Sequence, residues 1–137
     1  MYFDFNQLDI VGVGGSRIVY GHPHNHQWVI KTDMMPNGFQ NVMEFKIWEH
    51  VQTLPLADWL APVVDISPDG RTLVMERVSE LEFWDIPDWI PEFFNDTNIS
   101  NFGMLGGQFV CCDYAMNMMW KHGASVELKS THNLFTF

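Results

Sequence analysis

The amino-acid sequence predicts an α+β fold in which one helix accompanies an antiparallel five-stranded sheet. Most of residues 8–78 consist of short apolar segments separated by glycine and proline turns, a pattern typical of hairpins. Only residues 41–54 have apolar side chains at three- and four-residue spacing, which indicates an amphipathic helix. The chain has 137 residues, of which 47% are hydrophobic, and this length and composition predict a single globular domain.

The strands are predicted on either side of that helix. Residues 8–20 form a hairpin across Gly14 and Gly15, and residues 27–31 form a third strand. Pro55 ends the helix, because a proline lacks the backbone N–H that a helix interior needs. Residues 61–78 then supply two further strands joined by a Ser-Pro-Asp-Gly turn.

The net charge limits the classes of ligand that the protein can bind. The net charge is −10, from 17 acidic against 7 basic residues, and this predicts no nucleic-acid partner, which would need a basic face. A nucleotide ligand remains open, because a bound metal ion can supply the positive charge locally. The acidic charge also leaves open a partner protein that offers a basic surface.

The cellular location is predicted from the absence of membrane-span, secretory-signal and disulfide patterns in the sequence. No apolar run approaches the roughly 20 residues of a membrane span, and residues 1–10 do not resemble a secretory signal. Cys111 and Cys112 are neighbours in a predicted strand and point to opposite faces, so no disulfide joins them. Free thiols fit a reducing cytoplasm.

Two features of the first half are typical of phosphate sites but also of ordinary hairpins. Gly12, Gly14 and Gly15 lie between two strands, where the absence of Cβ atoms lets backbone N–H groups approach a phosphate. The same glycines would make a tight turn. Lys31 ends an apolar strand, where a lysine is ordinarily solvated.

Glu44 has two interpretations. It shares a helix face with Trp48 and Val51, so its carboxylate points toward the sheet and could pair with Lys31. The spacing from Asn41 to Glu44 also matches a capping box, in which the glutamate would bond only the start of the helix. Both interpretations remain open from the sequence.

The second half contains a polar set around a predicted hairpin. Asp96 and Asn101 precede a Gly-Gly turn, and Asp113 directly follows the second strand. Two carboxylates and a carboxamide are what a magnesium–phosphate site needs, and they are also common turn residues.

The order of these features resembles the protein-kinase-like superfamily, and most closely the small kinase-like proteins of tailed phages. The set comprises a glycine hairpin, a strand lysine, a helix glutamate, two strands, an Asp-x4-Asn motif and a hairpin ending in Asp113, and it covers about residues 10–115. The resemblance implies a minimal kinase-like fold with an N-lobe at residues 1–78. A reduced C-lobe at residues 79–137 would carry the catalytic hairpin.

The resemblance also implies the site residues and cofactors, ATP and Mg²⁺. The implied nucleotide-binding residues are Gly12, Gly14, Gly15, Lys31, Glu76 and Val78, the last two from a hinge at residues 75–78. The implied catalytic residues are Lys31, Glu44 and Asp96, of which Asp96 would orient the acceptor hydroxyl. The implied Mg²⁺ ligands are Asn101 and Asp113.

Departures from the family pattern leave two functions open. Arg17 stands where the third loop glycine would be, Asp96 lacks a preceding His-Arg pair, and no activation segment follows Ala115. One expectation is an ATP- and Mg²⁺-dependent phosphotransferase that acts on a host protein in the cytoplasm of an infected cell. The alternative is a catalytically weak or inactive kinase-fold protein that inhibits a host protein by direct binding.

Residues 81–94 are crowded with aromatic side chains and broken by Pro87 and Pro91. Burying all of them in one amphipathic helix is excluded by the prolines. We expect some to pack in the core and the rest to form an apolar patch bordered by Asp85, Asp88 and Glu92. A patch of this kind marks a partner surface, so an interface with a host protein or in a homodimer is predicted, centred on Trp84 and Trp89.

Overall fold

The structure, a computed structural model, describes residues 3–35, 38–117 and 124–137. Its main feature is a five-stranded sheet in which every pair of neighbouring strands is antiparallel, in the order β1-β2-β3-β5-β4. The strands are β1 (Ile10–Val13), β2 (Arg17–Gly21), β3 (Trp28–Asp33), β4 (Val63–Ile66) and β5 (Thr72–Glu76). The sheet confirms the predicted α+β class.

The helix α1 spans Gln40–Val51 and packs on this sheet. Its buried residues include Glu44, Ile47 and Val51, which follow one another at helical spacing along one face. The predicted direction of Glu44, toward the sheet, is therefore confirmed.

The capping-box interpretation of Glu44 is wrong. The helix starts after Phe39, which makes no side-chain capping bond, so Asn41 lies inside the first turn. The Asn41 side-chain amide donates to the carbonyl oxygens of Lys31 at 3.0 Å and Arg71 at 2.9 Å. It ties the helix to the sheet instead of capping the helix.

The second half consists of short strands and single 3₁₀ turns. The strands β7 (Phe102–Leu105) and β8 (Gln108–Cys111) form the predicted hairpin, and Gly106 and Gly107 provide its turn with φ of 57° and 80°. The strands β6 (Trp89–Pro91) and β9 (Leu128–Ser130) form a second antiparallel pair. The 3₁₀ turns of this half are Phe83–Asp85 and Ile99–Asn101, and the first half contains Phe5–Gln7 and Pro55–Trp59.

The strand β9 lies in the last part of the chain, residues 116–137, and pairs that part with β6. Residues 118–123 of that segment lie outside the described residues.

One hydrophobic core joins the two halves of the chain. It contains side chains from the sheet and α1 together with Ile90, Phe93, Phe94, Phe102 and Phe109 from the second half. The backbone adds a direct link, because the N–H of Ala61 donates to the carbonyl oxygen of Cys111 at 2.8 Å. The hairpin β7–β8 is therefore held against the segment that leads into β4.

Two further observations concern membrane-spanning helices and the cysteines. Within the described ranges, none of the helices has the length and apolar character that crossing a membrane requires. The thiols of Cys111 and Cys112 are both free, as their adjacency predicted.

Candidate functional site

A cleft of about 510 Å³ is lined by both halves of the chain. Its apolar lining comes from the sheet and from the segment after β5, and includes Val11, Val19, Val29, Met75 and Val78. Its predicted site residues are Gly12, Gly14, Gly15, Lys31, Glu76, Val78, Asp96 and Asp113. Glu44 and Asn101 do not line the cleft. The fold thus gathers residues that are far apart in sequence around one concave surface.

The lysine and the helix glutamate form a buried ion pair. Lys31 lies on β3 with its ammonium nitrogen 2.7 Å from Glu44 Oε1, and both side chains are almost completely buried. The same ammonium donates to the carbonyl oxygen of Cys112. Lys31 therefore connects the sheet, the helix and the segment after β8, and it does not end its strand in solvent.

Glu44 accepts hydrogen bonds at both carboxylate oxygens and has no exposed surface. Oε1 accepts from Lys31, while Oε2 accepts from the backbone N–H groups of Tyr114 at 2.9 Å and Ala115 at 3.2 Å. Arg17 donates to both oxygens, at 3.0 and 3.3 Å. Glu44 thereby fixes the position of the chain directly after Asp113.

The charge of Glu44 is stabilised by its partners. Burial by itself raises the pKa of the carboxyl group, but the cations Lys31 and Arg17 and their hydrogen bonds outweigh it and lower the pKa to about 2. Glu44 is therefore ionised at every pH at which the protein would normally be studied.

Arg17 is a site residue that the sequence did not reveal. It appeared only as a replacement for a glycine, yet its guanidinium is buried and lies between the helix and the second half of the chain. One nitrogen donates to Asn41 Oδ1 at 3.1 Å, and the other contacts Asp113 Oδ1 at 2.7 Å. The carboxylates of Glu44 and Asp113 raise the pKa of Arg17 despite the opposing effect of burial.

Asp113 is the most exposed member of this network. Its side chain is 43% exposed, and it lines the cleft while one of its oxygens contacts Arg17. The position is close to the one that the sequence predicted, because Asp113 lies two residues after the end of β8. The contact with Arg17 was not expected.

Asp96 and Asn101 lie close together through main-chain bonds. The Asn101 side-chain amide donates to the carbonyl oxygen of Asp96 at 3.3 Å, and the Asn101 carbonyl oxygen accepts from Cys112 at 2.8 Å. Asn117, which the sequence did not single out, accepts from the N–H groups of Asn95 and Asp96 at 2.9 and 3.4 Å. These bonds set the loop that presents Asp96 to the cleft.

The two predicted Mg²⁺ ligands are a carboxamide, Asn101, and a carboxylate, Asp113, of which only Asp113 lines the cleft. Among the residues that the structure describes, no group of three or more histidine, cysteine, aspartate or glutamate side chains could hold a metal ion. Mg²⁺ in nucleotide sites needs only one or two carboxylates, because phosphate oxygens and water complete its shell. Asp113 and the side-chain carbonyl of Asn101 are donors of the right type.

Covalent catalysis by the cysteine in the cleft is disfavoured. Cys112 lines the cleft, but burial raises the pKa of its thiol to about 11. A neutral thiol is a poor nucleophile.

A second surface is formed by residues 79–92, which we call the acidic aromatic segment. Phe83, Trp84 and Trp89 are 78%, 69% and 55% exposed, and the rings of Phe83 and Trp84 pack edge to face. Ile90, by contrast, is fully buried. The segment contains no basic residue. Its acidic residues are Glu80, Glu82, Asp85, Asp88 and Glu92.

No protein-family model matches the chain, and no curated protein matches it. The geometry of the cleft and of the acidic aromatic segment is therefore the basis for assigning a function.

Proposed function

We propose that the protein binds ATP with Mg²⁺ in the cleft and transfers the terminal phosphoryl group to a hydroxyl of a host protein. The observation that carries this proposal is the buried ion pair of Lys31 and Glu44 beside a cleft that Asp96 and Asp113 also line. A lysine held in one place by a buried carboxylate supplies a positioned cation, which phosphate binding requires.

The shape and lining of the cleft support a nucleotide. Apolar side chains such as Val19, Val29 and Met75 suit the faces of a purine ring. A Cβ atom placed on Gly12 or Gly15 would meet nothing within 4 Å, so open space lies beside the glycine turn. The kinase-like interpretation places the triphosphate in that space.

Each of the polar residues would have a separate role in phosphoryl transfer. Lys31 would meet phosphate oxygens, and Asp113 would hold Mg²⁺, which neutralises charge on the transferring phosphoryl group when it is bound. Asn101 is the expected second ligand, but it is buried and does not line the cleft, so its side chain would have to turn toward the ion. Asp96 lines the cleft without a role in the ion network, so its carboxylate would orient an acceptor hydroxyl and accept its proton.

Binding is tested by melting curves with ATP in excess Mg²⁺. At about 100 times its dissociation constant, the nucleotide would stabilise the protein by about 2.7 kcal/mol. Lys31→Ala should abolish that gain, whereas Lys46→Ala, which removes an exposed lysine of α1, should retain it. Equal melting temperatures with and without millimolar nucleotide would remove the nucleotide proposal.

Transfer is tested separately with labelled ATP and a host lysate. Asp96→Asn should abolish labelling while the nucleotide affinity stays near that of the wild type, since Asp96 serves the acceptor. Asp58→Asn, at an exposed carboxylate outside the cleft, is the matched control. Binding without any transfer by the wild type would leave a nucleotide-binding protein that is not a kinase.

The acidic aromatic segment favours a second function, the inhibition of a host protein by direct binding. Exposed Trp84 and Trp89 among acidic side chains fit a basic surface, because aromatic rings and carboxylates both attract lysine and arginine. Self-association into a homodimer would place like charges together, so a basic partner is the better match.

This second function is tested with Trp84→Ala/Trp89→Ala. Pull-downs from host lysate should lose a basic protein with this variant and keep it with Val64→Ala, which truncates an exposed side chain of β4. Light scattering after gel filtration reports self-association in the same samples. Unchanged pull-downs and a monomer at all concentrations would assign these aromatics no binding role.

A further inference from the structure

Arg17 brings a permanent cation to the carboxylate that would hold the metal. Its terminal nitrogen lies 2.7 Å from Asp113 Oδ1, at the edge of the cleft. We propose that Arg17 is a built-in cation that competes with Mg²⁺ for Asp113, and so sets how much Mg²⁺ the site requires before it holds a nucleotide. The inference rests on the proposed nucleotide site.

Arg17 is the fixed partner of this pair. The residue is only 5% exposed, and its guanidinium donates to both oxygens of Glu44, at 3.0 and 3.3 Å. A further bond to Asn41 Oδ1 at 3.1 Å holds the same group on its other side. A planar guanidinium bound on two sides in this way keeps its place and its charge.

Asp113 is the movable partner. Its side chain is 43% exposed, and Arg17 contacts Oδ1 alone. Its backbone is held independently, because the N–H of Asp113 donates to the carbonyl oxygen of Asn101 at 3.3 Å. The carboxylate can therefore leave Arg17 without disturbing the loop that carries it.

The charges explain why the two cations exclude each other. Lys31 and Arg17 carry two positive charges, and Glu44 with Asp113 carries two negative charges, so the network is neutral without a ligand. A divalent ion at Asp113 would lie close to the fixed guanidinium and would be repelled by it, although water at the half-exposed carboxylate weakens that repulsion. We therefore expect Asp113 to turn away from Arg17 when it binds Mg²⁺.

That exchange also prepares the site for phosphate. Once Asp113 has turned to the metal, the guanidinium of Arg17 has lost one carboxylate and can donate to a phosphate oxygen instead. Mg²⁺ and the nucleotide should thus bind cooperatively, with a threshold in Mg²⁺ that Arg17 raises.

The experiment measures the affinity of a fluorescent ATP analogue over a series of Mg²⁺ concentrations. Arg17→Gln should lower the half-saturating Mg²⁺ concentration by about fivefold, the factor that a half-exposed ion pair typically supplies. Arg17→Lys keeps a charge for Glu44 but has one nitrogen in place of the fork, so it should give a smaller decrease. Arg71→Gln, at an exposed arginine outside the cleft, should leave the requirement unchanged.

A second substitution shows whether the effect passes through Asp113. Asp113→Asn should remove most of the Mg²⁺ dependence, and Arg17→Gln should then change nothing further in the double variant. A purely structural role for Arg17 would weaken nucleotide binding at every Mg²⁺ concentration without moving the midpoint. Melting curves of each variant establish that it is folded, and Arg17→Lys serves as the test if Arg17→Gln is not.

The outcomes separate this inference from the proposed function. If the wild type binds nucleotide and neither Arg17 variant has a lower Mg²⁺ midpoint, the competition is refuted and the nucleotide site stands. If no variant binds nucleotide at any Mg²⁺ concentration, both proposals fail. Binding by Arg17→Gln alone would support the competition and would show that the wild-type site is closed by its own arginine.

Discussion

Carboxylates are paired with cations in the Glu44 network, which consists of Arg17, Lys31, Glu44 and Asp113. In the acidic aromatic segment the carboxylates have no basic neighbours in the sequence. The Glu44 carboxylate has no exposed surface and is surrounded by Lys31, Arg17 and backbone N–H groups. The acidic groups of residues 79–92 lie beside exposed aromatic rings and have no basic residue among them in the sequence. In the first arrangement opposite charges neutralise each other, and the second leaves charge available to water or to a partner.

The largest effect is expected from breaking the buried network. Glu44→Gln leaves Lys31 and Arg17 buried without their shared countercharge, and removing one partner of a buried ion pair costs about 3–5 kcal/mol. Glu49→Gln, an exposed position on the same helix, should change the free energy of unfolding little. Urea unfolding of both variants at neutral pH measures the difference. Equal stabilities would mean that the network contributes nothing to the fold.

Acid should weaken the same network gradually. The folded protein lowers the Glu44 pKa from 4.5 to about 2, so the unfolded chain takes up the proton first as the pH falls. This stability is complete above about pH 4.5 and is lost progressively toward about pH 2. Unfolding curves across that window should show a weaker dependence on pH for Glu44→Gln than for the wild type. Parallel curves for the two proteins would contradict the lowered pKa.

A smaller loss of stability is expected at Gly103, where the hairpin β7–β8 packs against Val78 and Ser79 after β5. A Cβ on Gly103 would lie 2.7 Å from Val78 Cβ and 2.8 Å from the carbonyl oxygen of Ser79. Gly103→Ala should therefore cost about 1–3 kcal/mol, as overpacking usually does. Gly12→Ala, whose Cβ would meet nothing within 4 Å, is the matched control for unfolding. A Gly103→Ala protein as stable as that control would show that this contact is loose.

The smallest effect is expected at the acidic aromatic segment. Trp84 is 69% exposed, so Trp84→Ala should change stability by no more than about 0.5 kcal/mol. Phe94 lies ten residues later and is fully buried, so Phe94→Ala should lower the free energy of unfolding by about 3–5 kcal/mol. Thermal unfolding compares the two. A large loss at Trp84 would place its ring in the core and remove the argument for a binding surface.

Local patterns in the sequence predicted most of the elements correctly. The hairpin β1–β2 and the hairpin β7–β8 were recognised because glycine pairs separate apolar strands, and both glycines of the second turn adopt positive φ. The helix was recognised from its spacing. These features depend on residues that are neighbours in the chain, so no tertiary information is needed to find them.

The aromatic segment was predicted only in part. The sequence indicated that its side chains would divide between core and surface, because Pro87 and Pro91 prevent a continuous helix. Which of these side chains are buried depends on packing against other segments. The strand β6 pairs with β9, and Ile90 is buried while its neighbour Trp89 is exposed. The partner strand lies far along the chain, so no local pattern identifies it.

What the sequence by itself determined is the set of elements and the residue types available for chemistry, including the lysine of β3 and the glutamate of α1. What only the tertiary structure decided is which charges meet. Arg17, Glu44 and Asp113 come from three separate parts of the chain and converge in one cluster, in which Arg17 and Glu44 are buried. Buried charges must find partners wherever the fold brings them, because the cost of leaving them unpaired exceeds what any local preference supplies.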